Sequence, residues 1–240
     1  MKRPMFPRLL PSVLIPAAFA TLAMSSGHVQ ARTGQEVLQQ QCVACHAVSK
    51  PQSLDLERLW QRKGPDLYYA GIKFNQPWLE KWLQNPTTIR PAGVMPARSV
   101  RAAADKTPDT VDPGALTPHL ALSKDEAAAV AAELMKLGPD LGLVEKGAFR
   151  NDPPNVSMAG MLFSKLRGCA SCHSAKPGNG GSSGPEMYDG GARLQPDYIV
   201  AYLRDPQKFD PHVWMPRLDL NDADVQKLAG YITTLKGEAK

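Results

Sequence analysis

Two five-residue motifs constrain this chain more than any other feature. Cys42-Val43-Ala44-Cys45-His46 and Cys169-Ala170-Ser171-Cys172-His173 together use all four cysteines. Each has the C-x-x-C-H spacing of covalent c-type haem attachment. Two thiols about one helical turn apart add to the two vinyl groups of one porphyrin, and the adjacent histidine presents its imidazole to the iron. Cys42, Cys45, Cys169 and Cys172 are therefore expected to bind two haem c groups covalently, with His46 and His173 as proximal ligands. Paired cysteines also serve as disulfides, redox dithiols or halves of zinc sites. Those rivals have to explain why the same histidine trails both pairs.

The N-terminal residues agree with a haem protein matured outside the cytoplasm. Met1–Arg8 is basic, Leu9–Met24 is apolar and broken by Pro11 and Pro16, and Val29-Gln30-Ala31 offers small residues for cleavage. That is the layout of a secretory signal, with cleavage expected near Ala31 and the mature protein in the periplasm. An uncleaved anchor is the alternative, but the stretch falls short of the roughly 20 apolar residues a spanning helix needs. The formal charge of +5 includes Lys2, Arg3 and Arg8; residues 32–240 hold 25 basic against 23 acidic side chains. With no basic stripe, nucleic acid is not an expected partner.

Self-comparison exposes a repeat. Gly64-Pro65 matches Gly184-Pro185, Trp78-Leu79 matches Tyr198-Ile199, and Trp82-Leu83 matches Tyr202-Leu203. Asn85-Pro86 matches Asp205-Pro206, and Met95-Pro96 matches Met215-Pro216, every pair 120 residues apart. The cysteine pairs are 127 apart, so the first copy carries seven extra residues before Gly64. The repeat thus singles out one methionine per half as sixth iron ligand: Met95 opposite His46 and Met215 opposite His173. A thioether opposite histidine raises the potential, and the following proline stiffens the chain that presents it. Simple core packing is the alternative for each methionine. His119 and His212 compete as ligands, but His212 has no counterpart in the first half, where position 92 is Ala, and a lone histidine is usually a surface or structural residue. Met187 faces Leu67 in the repeat, which favours packing.

The pattern predicts short helices over Gly34–Gln41 and Gly160–Leu166 leading into the haem motifs. Further helices are predicted over Gln76–Gln84 and Pro196–Arg204, each with proline in its first turn. Ser123-x-x-Glu126 is a capping box opening a closing helix to Leu137, stopped by Gly138; Asn221 caps its counterpart, with Val225, Leu228, Ala229, Ile232 and Leu235 as the apolar stripe. Pro139–Asn155 reads as a linker between residues 32–138 and 156–240. Between Met95 and Ser123 lie 27 residues, read as a solvated loop with partner docking as the alternative. Domains this small bury limited apolar surface, so the haem-free chain is expected to be largely unfolded.

Taken together, the two C-x-x-C-H motifs, the Gly-Pro pairs at 64–65 and 184–185 and the Met-Pro pairs at 95–96 and 215–216 resemble the class I cytochrome c fold, present twice, as in tandem dihaem cytochromes c. The resemblance spans nearly all of residues 32–240. It implies an all-α protein of two tandem haem-wrapping helical domains, with His46, Met95, His173 and Met215 completing the axial sets. The long insert after Met95 departs from the compact pattern. The function it implies is single-electron transfer between redox partner proteins, a donor and an acceptor, with a membrane-bound or periplasmic oxidoreductase as a candidate. A peroxidase-like dihaem oxidoreductase with one displaceable ligand is the enzymatic alternative; it needs an open iron and acid–base groups, and the mature chain has only two histidines beyond the proximal pair. Thiosulfate-oxidising dihaem enzymes use a cysteine ligand in that family, and there is no fifth cysteine here.

Overall fold

The structure is a computed structural model and describes Met1, residues 32–102 and residues 110–237. The signal segment and its cleavage site at Ala31 lie outside the described residues, as does Pro108 of the insert. From Arg32 onward the chain forms one compact, helix-rich unit. Among the described residues, no helix is long and apolar enough to cross a membrane.

Each half is opened by a capped helix that runs into its haem motif. Helix α1 (Gly34–Val37) starts at Thr33, whose side chain accepts from the Glu36 amide while the Glu36 carboxylate accepts from the Thr33 amide. It widens at once into a π-helical turn over Leu38–Cys42. Helix α2 (Leu56–Gln61), capped by Asp55, fills the stretch where the first half has its additional residues. Helix α3 (Gln76–Gln84) has its proline in the first turn and buries Trp78, Leu79 and Leu83. The insert expected as loop holds a two-stranded antiparallel pair, β1 (Val100–Arg101) and β2 (Thr110–Val111). Helix α4 (Lys124–Leu134) opens on the Ser123–Glu126 capping box and ends three residues earlier than Leu137. The chain then turns at Gly138, in left-handed backbone with φ 97°.

The second half repeats the plan. Helix α5 (Val156–Met161), capped by Asn155, passes into a π-helical turn over Leu162–Leu166, so the helical run begins ahead of the expected Gly160. A short helix α6 (Gly190–Arg193) precedes α7 (Pro196–Arg204), which lies where the pattern places it and buries Tyr198, Ile199, Val200 and Leu203. Helix α8 (Asp222–Thr234), capped by Asn221, buries Val225, Leu228, Ala229 and Ile232. The residues read as a linker pack on this half: Leu141, Leu143, Val144, Ala148 and Phe149 lie against the core. The amides of Gly147 and Phe149 donate to the Asp197 carboxylate at 2.8 and 2.9 Å.

The halves meet along a seam with approximate two-fold character. Phe74 and Leu194, 120 residues apart, form an antiparallel bridge. The Asn75 amide donates to the Arg193 carbonyl at 2.8 Å, and the Gln195 amide donates to the Lys73 carbonyl at 2.9 Å. Trp78 Nε1 reaches Asp189 at 3.1 Å, and the rings of Tyr69 and Tyr198 stack at 6.4 Å. Matching residues exchange matching contacts, the hallmark of an isologous interface. One contiguous apolar core runs through both halves.

Candidate haem sites

The backbone of each C-x-x-C-H motif makes one tight turn. The amides of Cys45 and His46 both donate to the Cys42 carbonyl, at 3.1 and 3.0 Å; those of Cys172 and His173 both donate to Cys169, at 3.2 and 3.0 Å. In each pair the first cysteine is half-buried and the second exposed, and none of the four is in a disulfide. Burial raises the pKa of Cys42 and Cys169, with the neighbouring Cys45 and Cys172 adding to the effect.

The two histidines are braced identically. His46 Nδ1 lies 2.7 Å from the Pro65 carbonyl and His173 Nδ1 2.8 Å from that of Pro185. A carbonyl only accepts, so Nδ1 carries the proton in both rings and Nε2 keeps its lone pair. That is the tautomer a metal-binding imidazole needs, oriented from behind by a backbone acceptor. Burial holds both imidazoles below the ordinary histidine range, the proline carbonyl working against it. The Gly-Pro pairs now have a reason. A Cβ on Gly64 would stand 2.5 Å from His46 Cε1, and one on Gly184 would stand 2.6 Å from His173 Cε1. Only glycine lets the chain pass that close to the ring, while the next residue supplies the carbonyl.

The two repeat methionines differ. Met215 is half-buried against the core. Met95 is only 5% exposed and stands outside the contiguous core. Both rival histidines are exposed; the His212 amide is bonded to Asp210, and no ring contact joins it to a haem-motif histidine among the described residues. His119 instead stands beside His46, ring centroids 6.1 Å apart, and against Trp82 at 4.7 Å. Met187 is buried and its sulfur accepts from Arg193, the packing role expected of it.

Sequence reasoning passed over three cations near the seam. Lys73 Nζ lies over the rings of Phe74, Tyr69 and Tyr198, at 4.9, 5.4 and 5.7 Å. Among the described residues it has no hydrogen-bond acceptor. Burial pushes its pKa down to about 7, with the charges of Arg90 and Arg193 assisting. Arg193 is fixed by Asp189 at 2.8 Å and by the Glu186 carbonyl at 2.5 Å. Arg90, from the first half, is close enough to His173 to depress its pKa further. The only sequence signal was Lys73 and Arg193 standing in register in the repeat. Lys73, half-buried and without a carboxylate partner among the described residues, suits a ligand that brings its own carboxylates. Haem fits on each count: thiols on one turn, an imidazole with Nε2 available, apolar helix faces, and cations for the propionates.

Helices gathered on a C-x-x-C-H turn, with the histidine braced by a proline carbonyl, meet the requirements of covalent haem attachment. Residues 159–232, which contain Cys169, Cys172, His173 and Met215, match the family model described as cytochrome C oxidase, cbb3-type, subunit III. The match supports covalently bound haem c and a haem-based electron-transfer role. The first half lies outside the matched residues. The chain matches no curated protein and no solved structure.

Proposed function

We propose that this chain is an exported dihaem c-type cytochrome of two tandem domains, residues 32–138 and 156–240, that passes single electrons between periplasmic redox partners. The observation that carries this reading is the duplicated brace: in both halves a C-x-x-C-H turn presents a histidine fixed through Nδ1 to the proline of a Gly-Pro pair. The same construction in the unmatched first half supports a second haem there.

When bound, haem supplies a one-electron couple; the chain sets its potential and surroundings. Cys42, Cys45, Cys169 and Cys172 would fix the porphyrins covalently. His46 and His173 would each hold the iron through Nε2, and Met215 would supply a further ligand in the second half. In the first half Met95 or His119 would supply it. The packed faces of α3 and α7 exclude water, and Lys73, Arg90 and Arg193 balance propionate charge. A saturated coordination sphere favours electron transfer over peroxidase-like turnover. Donor and acceptor are redox proteins, a membrane-bound or periplasmic oxidoreductase being one candidate.

The test is the intact mass of the mature protein made in a host able to attach haem, followed by a redox titration. Two porphyrin adducts on a chain beginning after Ala31, both irons low-spin, are expected. One adduct, or a high-spin iron that readily binds peroxide, would overturn the reading.

A further inference from the structure

We infer that His119, not Met95, is the sixth ligand of the first haem, so that the two halves carry different axial sets. The inference rests on the dihaem reading above and assigns roles within it.

Two imidazoles on one iron each place a nitrogen about 2 Å from the metal and a ring centre about 1 Å beyond, so their centroids stand about 6 Å apart. The His46 and His119 centroids are separated by 6.1 Å, with planes at 46°. Both rings are in the ligating tautomer. His119 Nδ1 lies 2.8 Å from the Leu120 carbonyl as His46 Nδ1 lies against Pro65, so each keeps an unprotonated Nε2. Trp82 packs on the His119 ring at 4.7 Å and is itself held by the Thr87 carbonyl at 3.1 Å.

The chain path agrees. Before the insert, the two halves align at an offset of 120 residues, and this register pairs Met95 with Met215. After it they align at 98: Pro118, Leu120, Leu122 and the cap Ser123 match Pro216, Leu218, Leu220 and the cap Asn221. The backbone follows this second register, since Gly71 donates to the Leu137 carbonyl and Gly191 to that of Leu235, both at 2.9 Å. Entering the closing helix, the first half therefore has Thr117 where the second has Met215, with His119 two residues on. Met95 lies before the insert, outside this second register, and is buried without being part of the contiguous core. Thioether ligation raises a haem potential relative to a second imidazole. The first half is then the lower-potential site, from which an electron moves downhill to the second.

The experiment uses the oxidised full-length holoprotein, its two porphyrins first verified by mass. The far-red Fe–Met band is expected at the intensity of one methionine-ligated haem. It should vanish in Met215→Leu and persist undiminished in Met95→Leu. His119→Gln should remove one low-spin bis-imidazole signal from the electron paramagnetic resonance spectrum, with added imidazole restoring it. A band worth two haems that halves in Met95→Leu would overturn the inference while leaving the dihaem reading intact. An unchanged His119→Gln spectrum would also overturn it, and a first half without porphyrin would overturn both.

Discussion

Asn75 and Gln195, 120 residues apart, do the same work on opposite sides of the seam. Asn75 Nδ2 donates to the carbonyls of Ala192 and Leu194 at 2.9 and 3.0 Å. Gln195 Nε2 donates to those of Gly71 and Phe74 at 2.8 and 2.7 Å. Each amide thus satisfies two carbonyls of the other half that the bridge leaves without backbone partners.

Gln195→Leu should strand both of its acceptors. A part-buried unsatisfied group costs about 1–3 kcal/mol, so stability of the holoprotein should fall by an amount in that range. Asn75→Leu should do the same. Urea unfolding of both single variants and the double variant checks this. Losses that add without coupling would show the two amides to be independent.

Gly64→Ala and Gly184→Ala should each damage one haem site. The new methyl overlaps the imidazole carbon, and overpacking of that kind costs about 1–3 kcal/mol when the surroundings can shift. Here the obstacle is the proximal ring itself, held by the adjacent proline carbonyl. Expected outcomes are less attached haem or a high-spin iron in the altered half, with the other half unchanged, read by mass and absorption.

Lys73→Met should lower the reduction potential of the holoprotein. A cation near the iron favours the electron-rich reduced state, so its removal favours the oxidised one. A charge interaction of this type is on the order of 1 kcal/mol, tens of millivolts for one electron. A redox titration of wild type and variant measures it, and an unchanged or raised potential would refute the placement of Lys73 beside a haem.

Acid should loosen the first half through its two capping boxes. Hydrogen bonds from Arg32 and then Ser123 hold the Glu126 carboxyl below its usual range, and the Thr33 amide does the same for Glu36. Folded-state values lie below the unfolded value of 4.5, so the unfolded chain binds more protons in this window. The stabilisation is present above pH 4.5 and is lost as pH falls through the depressed folded values. Urea midpoints between pH 3 and 6 should drop with acid in wild type and less steeply in Glu126→Gln.

Helix positions were readable where a local rule decides them. Pro77 and Pro196 open α3 and α7 where the pattern put them, and Ser123 and Asn221 cap the closing helices. The duplicated haem motifs and Gly-Pro pairs were legible because attachment chemistry demands fixed spacing. The seam was not: Asn75 and Gln195 are ordinary polar residues until their partners arrive from 120 residues away. Lys73 was hidden for the same reason, its surroundings being tertiary. The nearness of His119 to His46 is tertiary and has no local signal, and the shorter register after the insert lies in plain leucines and prolines. The β pair in the insert is two residues per strand, too short for alternation to show.

The strap over residues 139–155 has a consequence for quantity as well as shape. A self-matching interface between separate polypeptides falls apart on dilution, and its members trade mates. Here both faces belong to one molecule, joined by a segment that is itself packed on the second half. Pairing of the two faces is therefore independent of the amount of protein, and each half keeps the same companion for the lifetime of the chain.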